Sequence, residues 1–541
     1  MSASPIVHDV FAAAADKQAA RPFLHAPAET ARLYDLEKAD FTYAEAEQEI
    51  DALKARYAAA LAGRRLRVGL AFENRPEFFL HFLALNALGA SILPLNVAMQ
   101  EEEILYQIAH SECALIVAHP SLVDRLFAIA AKAPQSPLVA GPDEIGALNA
   151  VKGAGTNDAT PAAREAAILY TSGTTGRPKG CILSNEYFTA IGDLYVSLGG
   201  YVQFADGVER IITPLPLTHM NALACSFMAA IRTGGCLIQL DRFHPKTWWN
   251  TVRDSRATIM HYLGVMPAML LSAPESADED FSGQIKFAFG AGCDPRHHAR
   301  FEERFGVRLI EAWAMTETGA GAWITASAEP RHVGTRCFGK APNGLETRLV
   351  DEEGRDVARG LPGELLVRRA GADPRASFFS GYFRDEAATD DAWRDGWFHT
   401  GDAVRQDDEG YFYFVDRLKN VIRRSGENIA AIDVESVLMR HAGVAGCVVI
   451  PVPDEIRGDE VMALIISADA DKSEARARAI FDFARDNLVY FKAPGYIAFV
   501  DAIPMTPSEK VKRGEAKALG RGLLERGACF NFNSQKKARK G

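Results

Sequence analysis

The sequence predicts an α/β protein. A large N-terminal domain of doubly wound sheets carries a small β unit, and a small α+β C-terminal domain follows. Three observations carry that prediction. Up to about residue 330, short apolar runs alternate with helical patterns, which argues for mainly parallel sheets covered on both faces. Beyond it, Gly, Pro and short alternating segments take over. From residue 420, apolar strands and a helical stretch form a third, compact segment.

The elements follow in order. VGLAFE at 68–73, SILPL at 91–95, ALIVA at 114–118 and AAILY at 166–170 read as buried strands. Pro76 to Leu88 and Glu101 to Ile108 supply helices between them. The theme recurs at 210–213, 236–240, 258–262, 285–289 and 307–312. LETRLVD, GELLVRRA and GYFYFVD alternate as an antiparallel unit does, over about 330–417. CVVIPV and VMALIIS are strands of the last unit, with a helix around 474–487. The expected division is 1–417, a C-terminal domain at 420–520 and a tail at 521–541. The tail ends in the charge run KKARK at 536–540 and reads as disordered and solvated.

The chain has 541 residues with 60 Lys plus Arg against 70 Asp plus Glu, a formal net charge of −10. Nucleic-acid binders lean basic, so no nucleic-acid partner is expected. The eight cysteines include no C-x-x-C pair. They read as free thiols of a reducing compartment. The N-terminal segment MSASPIVHDVFAAAADK has no basic start, and Asp9 interrupts its apolar run, so it is not read as a signal peptide. The longest apolar stretch, Phe78 to Leu95, contains His81, Asn86, Gly89 and Pro94. It reads as a helix feeding a strand, not a membrane span. The expected location is the cytoplasm; a homodimer is left open.

The strongest local signal is Tyr170-Thr-Ser-Gly-Thr-Thr-Gly-Arg-Pro-Lys-Gly180. Glycines let backbone N–H groups approach an anion, and hydroxyls and Lys179 add donors and charge. That composition suits phosphate. It is not a Walker A loop, which needs Gly-Lys-Ser/Thr opening a helix; here Pro178 precedes the lysine and Gly180 follows it.

This segment resembles the signature loop of the adenylate-forming superfamily, which comprises acyl- and aryl-CoA ligases, peptide-synthetase adenylation domains and luciferases. Further motifs follow in that family's order: Glu311-Ala-Trp-Ala-Met-Thr-Glu317, Gly396-Trp-Phe-His-Thr-Gly-Asp402, Phe414-Val-Asp-Arg417 continuing to Asn428, and Ile503-Pro-Met-Thr-Pro-Ser-Glu-Lys510-Val-Lys-Arg513. The resemblance covers at least residues 165–515. The hinge-side sequence looks like the carnitine/crotonobetaine-CoA ligase branch.

The resemblance implies ATP, Mg²⁺ and CoA as co-substrates and cofactor, with a small carboxylic acid as substrate. The carboxylate would attack the α-phosphorus of ATP to give acyl-AMP and pyrophosphate, and CoA would then take the acyl group. Thr171, Ser172, Gly173, Thr174, Thr175, Gly176 and Lys179 would hold the β- and γ-phosphates. Thr316 would contact the α-phosphate and Glu317 would hold Mg²⁺, a hard cation that takes oxygen ligands. Glu311, Ala312 and Trp313 fall in the second core motif. Trp313 offers a flat face to adenine or packs in the core. Gly290, Ala291 and Gly292 offer close backbone approach to the base. Asp402 would accept from both ribose hydroxyls, and Arg417 would contact ribose or phosphate. Lys510 is the expected adenylation catalyst, with Lys512 the competing assignment. His219 matches a histidine near the acyl tunnel. Lys419 is the expected pivot.

The stretches expected to line the acyl pocket, 219–228, 262–266, 290–293 and 314–321, contain no Arg or Lys. A dicarboxylate or sulfonate held by a buried cation is therefore not supported. Gly426 would line the pantetheine path, and Arg423 and Arg424 are candidates for CoA phosphates. Two alternatives stay open: an enzyme loading a carrier protein or an amine, and a catalytically dead nucleotide-binding relative.

Overall fold

Arg67–Ala71, Ser91–Pro94 and Leu115–Ala118 are buried along their whole length, as expected of strands without polar alternation. The one charge among them, Arg67, is forked onto Glu165, with Nε and Nη2 donating to the two carboxylate oxygens at 2.8 and 2.9 Å. The structure is a computed structural model that describes residues 4–148, 150–156, 159–171, 178–276, 279–424, 427–454, 458–505 and 511–536.

These strands pair in parallel within a seven-stranded sheet. Its other members are Leu138–Ala140, Glu165–Thr171, Lys179–Ser184 and Gly381–Tyr382. The last two run antiparallel and close one edge. A second sheet of eight strands holds Arg210–Thr213, Cys236–Gln239, Ile259–Leu263, Phe287–Ala291 and Leu309–Trp313 in parallel. Both arise where the alternating apolar runs predict them. The long helix Tyr43–Leu61 packs beside them. It starts at a capping box, in which Thr42 Oγ1 accepts from Glu45 N–H at 3.2 Å and Glu45 accepts from Thr42 N–H at 2.8 Å.

The Gly- and Pro-rich region folds as five antiparallel strands, Cys337–Gly339, Leu345–Val350, Pro362–Arg369, Phe398–Gln406 and Phe412–Arg417. The last segment builds a separate sheet around Val444–Asp454 and Gly458–Ser467, covered by Glu474–Asn487 and Arg513–Glu525. Its apolar core draws on residues from Ile422 to Phe532, and the main core of the larger part on residues from Val7 to Phe412.

The expected disordered tail needs correction. Residues 521–525 complete a helix, and Phe530–Asn531 add an antiparallel strand beside Tyr496–Phe499. Phe532 is buried, and so is Lys536, the first residue of the charge run. One aromatic anchor is enough to order a polar end. Residues 537–541 lie outside the described residues.

Candidate nucleotide and acyl site

Ligands of open α/β sheets sit outside the carboxyl ends of the strands. Three of the expected site residues stand at such ends. Thr171, Ala291 and Trp313 each end a strand. Thr171 and Lys179 are the last cross-strand pair of their hairpin, so the expected phosphate loop is its tip. Ser172, Gly173, Thr174, Thr175 and Gly176 lie outside the described residues. The returning end of the loop is gripped from Glu101–Ser111, where the Tyr106 hydroxyl donates to the Pro178 carbonyl at 3.0 Å.

Thr171, Lys179 and Glu317 meet around one residue the sequence reading did not single out. The Tyr382 hydroxyl donates to Glu317 Oε1 at 3.1 Å, and Lys179 Nζ lies 4.7 Å over the Tyr382 ring. Thr171 Oγ1 donates to the same Glu317 oxygen at 3.4 Å. Tyr382 reaches this place because Gly381–Tyr382 adds to the edge of Lys179–Ser184. A lone aromatic in a turn-rich stretch carries no sequence signal for that.

Thr316 is half-buried, and its carbonyl accepts from the Tyr187 hydroxyl at 2.9 Å. Tyr187 also reaches Met220 Sδ at 3.9 Å. It sits in the first turn of Asn185–Val196, where Ser184 Oγ caps its N–H at 3.1 Å. His219 is half-buried and stands just before a π-helical turn, Asn221–Ser226, a distortion frequent at functional sites. That turn is pinned by His261, whose Nδ1 lies 2.6 Å from Asn221 Oδ1 and 3.0 Å from Ser226 Oγ. Tyr195 meets the other ring nitrogen at 2.9 Å. Burial pushes the His261 imidazole down to about 3, so it stays neutral.

Glu311 does not face a ligand with a free carboxylate. Its Oε1 accepts from the Tyr262 hydroxyl at 2.6 Å and Cys293 N–H at 3.0 Å, and its Oε2 from Gly292 N–H at 2.9 Å. Its contribution is to hold the 290–293 turn in shape. Gly290 is required there, because a Cβ would come within 2.2 Å of the Tyr262 carbonyl. Gly292 has φ +79° with nothing near its missing side chain, so a substituent there is strained by conformation and not by space. Ala291 is exposed beside it, and Ala312 is paired with Thr325.

Trp313 is buried, with its ring stacked on Phe338 at 6.1 Å and its indole N–H donating to Asp402 Oδ2 at 2.9 Å. Asp402 is 1% exposed and faces Arg417 across two strands. Arg417 Nε lies 2.9 Å from Asp402 Oδ1, yet that oxygen receives no directed hydrogen bond. Arg417 is held by the Thr400 carbonyl at 3.2 Å. Burial raises the Asp402 carboxyl, against the Arg417 charge and the Trp313 bond. An orphaned buried acceptor within the strand Phe398–Gln406 fits a ligand hydroxyl.

Beyond Arg417 the chain is stapled by Asp416, quoted in the sequence only as a motif position. It accepts from Arg417 N–H at 2.7 Å, Asn420 Nδ2 at 3.3 Å and Ile432 N–H at 3.2 Å. Lys419 is exposed, with its carbonyl accepting from Lys517 Nζ at 2.6 Å. Desolvation of its ammonium, with Arg417, Lys517 and Arg513 nearby, lowers it to about 8. Lys510 and Gly426, and the Arg423 side chain, lie outside what is described. Lys512 pairs with Glu515 at 3.1 Å and lies 3.8 Å from Glu103. Arg424 corrects an expectation: it is 5% exposed and bonded to Glu460, so it is not free for a CoA phosphate.

Among the described residues no group of three or more His, Cys, Asp or Glu is arranged to hold a metal ion. No helix among them is long and apolar enough to cross a membrane.

Residues 11–383 match the model of the AMP-binding enzyme family, and 433–510 that of the AMP-binding enzyme C-terminal domain. A crotonobetaine/carnitine–CoA ligase of Proteus mirabilis is 29% identical over 488 residues, 87% of this chain and 92% of that protein. A sulfoacetate–CoA ligase of Cupriavidus necator is 31% identical over 472 residues, 84% and 88% of the two chains. Among solved structures, ATP-bound MatB from Rhodopseudomonas palustris superposes with a TM-score of 0.77 at 26% identity, covering 95% of this chain and 99% of its own. The order of the motifs, the sheet ends on which they converge and these likenesses agree: the chain belongs to the AMP-binding enzyme family.

Proposed function

We propose that the protein is an ATP-dependent, AMP-forming acyl-CoA ligase. The observation that carries this reading is the placement of two buried acidic residues, Glu317 in the turn that follows the strand Leu309–Trp313 and Asp402 within the strand Phe398–Gln406, bonded to Trp313. Glu317 lies beside the phosphate hairpin, and Asp402 presents an orphaned buried oxygen beside Trp313 and Arg417. The two suit opposite ends of a nucleotide. In the first step a carboxylate oxygen bonds to the α-phosphorus and pyrophosphate leaves with the electron pair. In the second the CoA sulfur bonds to the acyl carbon and AMP leaves. Both reactants of the first step are anions, so Lys179, Arg417 and Lys510 are the cations the chain supplies there.

Mg²⁺, when bound, neutralises charge on the phosphate oxygens. Glu317 is the residue that would hold it. With no second carboxylate or imidazole cluster among the described residues, its remaining ligands would be nucleotide oxygens and water. The proposed division is an N-terminal domain to 417, a hinge at 418–419 and a mobile small domain beyond. All eight cysteines are free, which supports a reducing, cytoplasmic setting.

The acid proposed is a small carboxylate without a second anionic group, since the pocket stretches hold no Arg or Lys. The relatives make carnitine and crotonobetaine the first acids to try, with sulfoacetate as the acid this reading expects to fail. The test is pyrophosphate release across a panel of acids, with and without CoA. CoA-dependent AMP release with one acid supports the reading. Release unaffected by CoA transfers the proposal to another acceptor.

A further inference from the structure

Three charged side chains are buried together in the C-terminal domain, apart from the nucleotide residues. Glu460 is fully buried, Arg424 is 5% exposed and Lys536 is 2% exposed. Arg424 Nε donates to Glu460 Oε2 at 2.7 Å, and Lys536 Nζ to Glu460 Oε1 at 2.5 Å. The Val461 N–H also donates to Oε1 at 2.8 Å, and Lys536 reaches the Phe491 carbonyl at 3.3 Å. Each cation takes its own carboxylate oxygen; removing Lys536 leaves Arg424 and Glu460 as a balanced pair, with one carboxylate oxygen short of its cation.

The two cations come from distant parts of the chain. Arg424 ends the strand Val421–Arg424, which forms a hairpin with Glu427–Ala430 and meets Gly458. Lys536 comes from the end of the chain. It is delivered there by the strand Phe530–Asn531 and by Phe532, which stacks on Phe481 at 4.7 Å and 14°. Phe532 N–H donates to the Gly495 carbonyl at 2.8 Å. The packing is close enough that a Cβ on Gly495 would come within 2.1 Å of Asn533 Oδ1. The C-terminal segment is therefore a strap across the sheet whose Lys536 closes onto Glu460, beside the hairpin residue Arg424.

We propose that Lys536, acting through Glu460 and Arg424, positions the 421–430 hairpin for acyl transfer to CoA. The inference rests on the acyl-CoA ligase reading, in which Gly426 is expected to line the pantetheine path. Lys536 touches no reacting atom; it is a positioning residue. A hydrophobic side chain of similar volume often replaces a buried ion pair without loss of stability. Orientation of the hairpin is the contribution such a replacement would not supply.

The test uses the full chain with Lys536→Met and Lys536→Arg. Carboxylate-dependent ATP–pyrophosphate exchange reads the first half-reaction and reports that the variant is folded. Transfer from supplied acyl-AMP to CoA reads the second. In Lys536→Met, exchange stays within about twofold of wild type while kcat/KM for CoA falls roughly tenfold, carried by KM. Lys536→Arg restores it. Amide hydrogen exchange across 421–430 speeds up in Lys536→Met, a readout that does not depend on the acceptor. Equal loss in both half-reactions, or unchanged hydrogen exchange in the hairpin, overturns the proposal. Wild-type protein that forms acyl-AMP but passes nothing to CoA overturns the acceptor reading instead, and the hydrogen-exchange result still judges the strap.

Discussion

The Trp313 indole donates to Asp402 at 2.9 Å across the join between the eight-stranded sheet and the antiparallel unit. One bond thus ties two regions that the sequence separates by almost ninety positions. It leaves the second Asp402 oxygen without a directed donor.

Asp402→Asn should separate binding from stability. Burial raises the Asp402 carboxyl above 3.8. Below that pH both folded and unfolded chains carry the proton. As pH rises, the unfolded chain ionises first, so the folded state loses stability until its own higher pKa is passed. Asn does not ionise, so it does not carry that penalty. Thermal melts should show Asn gaining on wild type between pH 4 and 7, while KM for ATP rises about tenfold or more. A variant that melts lower at pH 7 than at pH 4, relative to wild type, would show that the Arg417 pairing outweighs burial.

Glu311→Gln should be costly without touching a substrate. Three donors converge on its two oxygens, and an amide turns its own N–H₂ toward at least one of them. A loss of about 1–3 kcal/mol is expected from chemical denaturation, with weaker nucleotide binding as the 290–293 turn loosens. Glu311→Gln with wild-type stability would mean that the turn holds itself.

Lys510→Ala should abolish adenylation and largely spare thioester formation from supplied acyl-AMP. Positive charge is needed where two anions meet at phosphorus; acyl transfer to sulfur has no such encounter. Parallel loss of both half-reactions would move the assignment elsewhere, Lys512 being the neighbour to try.

Lys419→Pro should freeze the small domain. Proline holds φ near −65°, whereas a pivot has to absorb a large backbone change. Acyl-AMP should form at a normal rate while CoA transfer slows by about two orders of magnitude or more. Rapid-quench assays of the two half-reactions decide it, and unhindered CoA transfer would remove the hinge role.

Much of the architecture was legible. The run SILPL became a strand close to its expected limits, CVVIPV the middle of a longer one, Val444–Asp454, and the helix at 474–487 has the expected bounds, because burial and periodicity are local properties. What was not legible depends on contacts over long sequence distances. Tyr382 reaches Glu317 over 65 positions, and Arg424 finds Glu460 over 36. Arg424 was expected as a candidate for a CoA phosphate, and Lys536 as the start of a solvated tail. Only the folded sheet reveals the buried carboxylate that both were bound to meet. Glu311 is the reverse case: its motif was visible, but its inward-facing bonds were not.

Asp402 and Arg417 face each other within the antiparallel unit, and Arg417 is the last residue of its strand, two positions before Lys419. Anything clasped by that pair is clasped by one body alone. Rotation of the small domain past Lys419 would then exchange the tools above a reactive anhydride while its ribose end stays anchored. The consequence is a matter of fidelity. Escape of the intermediate by dissociation would then be set by the grip of the large domain and not by how often the small one turns. The ratio of AMP released to thioester made should therefore stay near unity even when CoA is scarce and the intermediate has to wait.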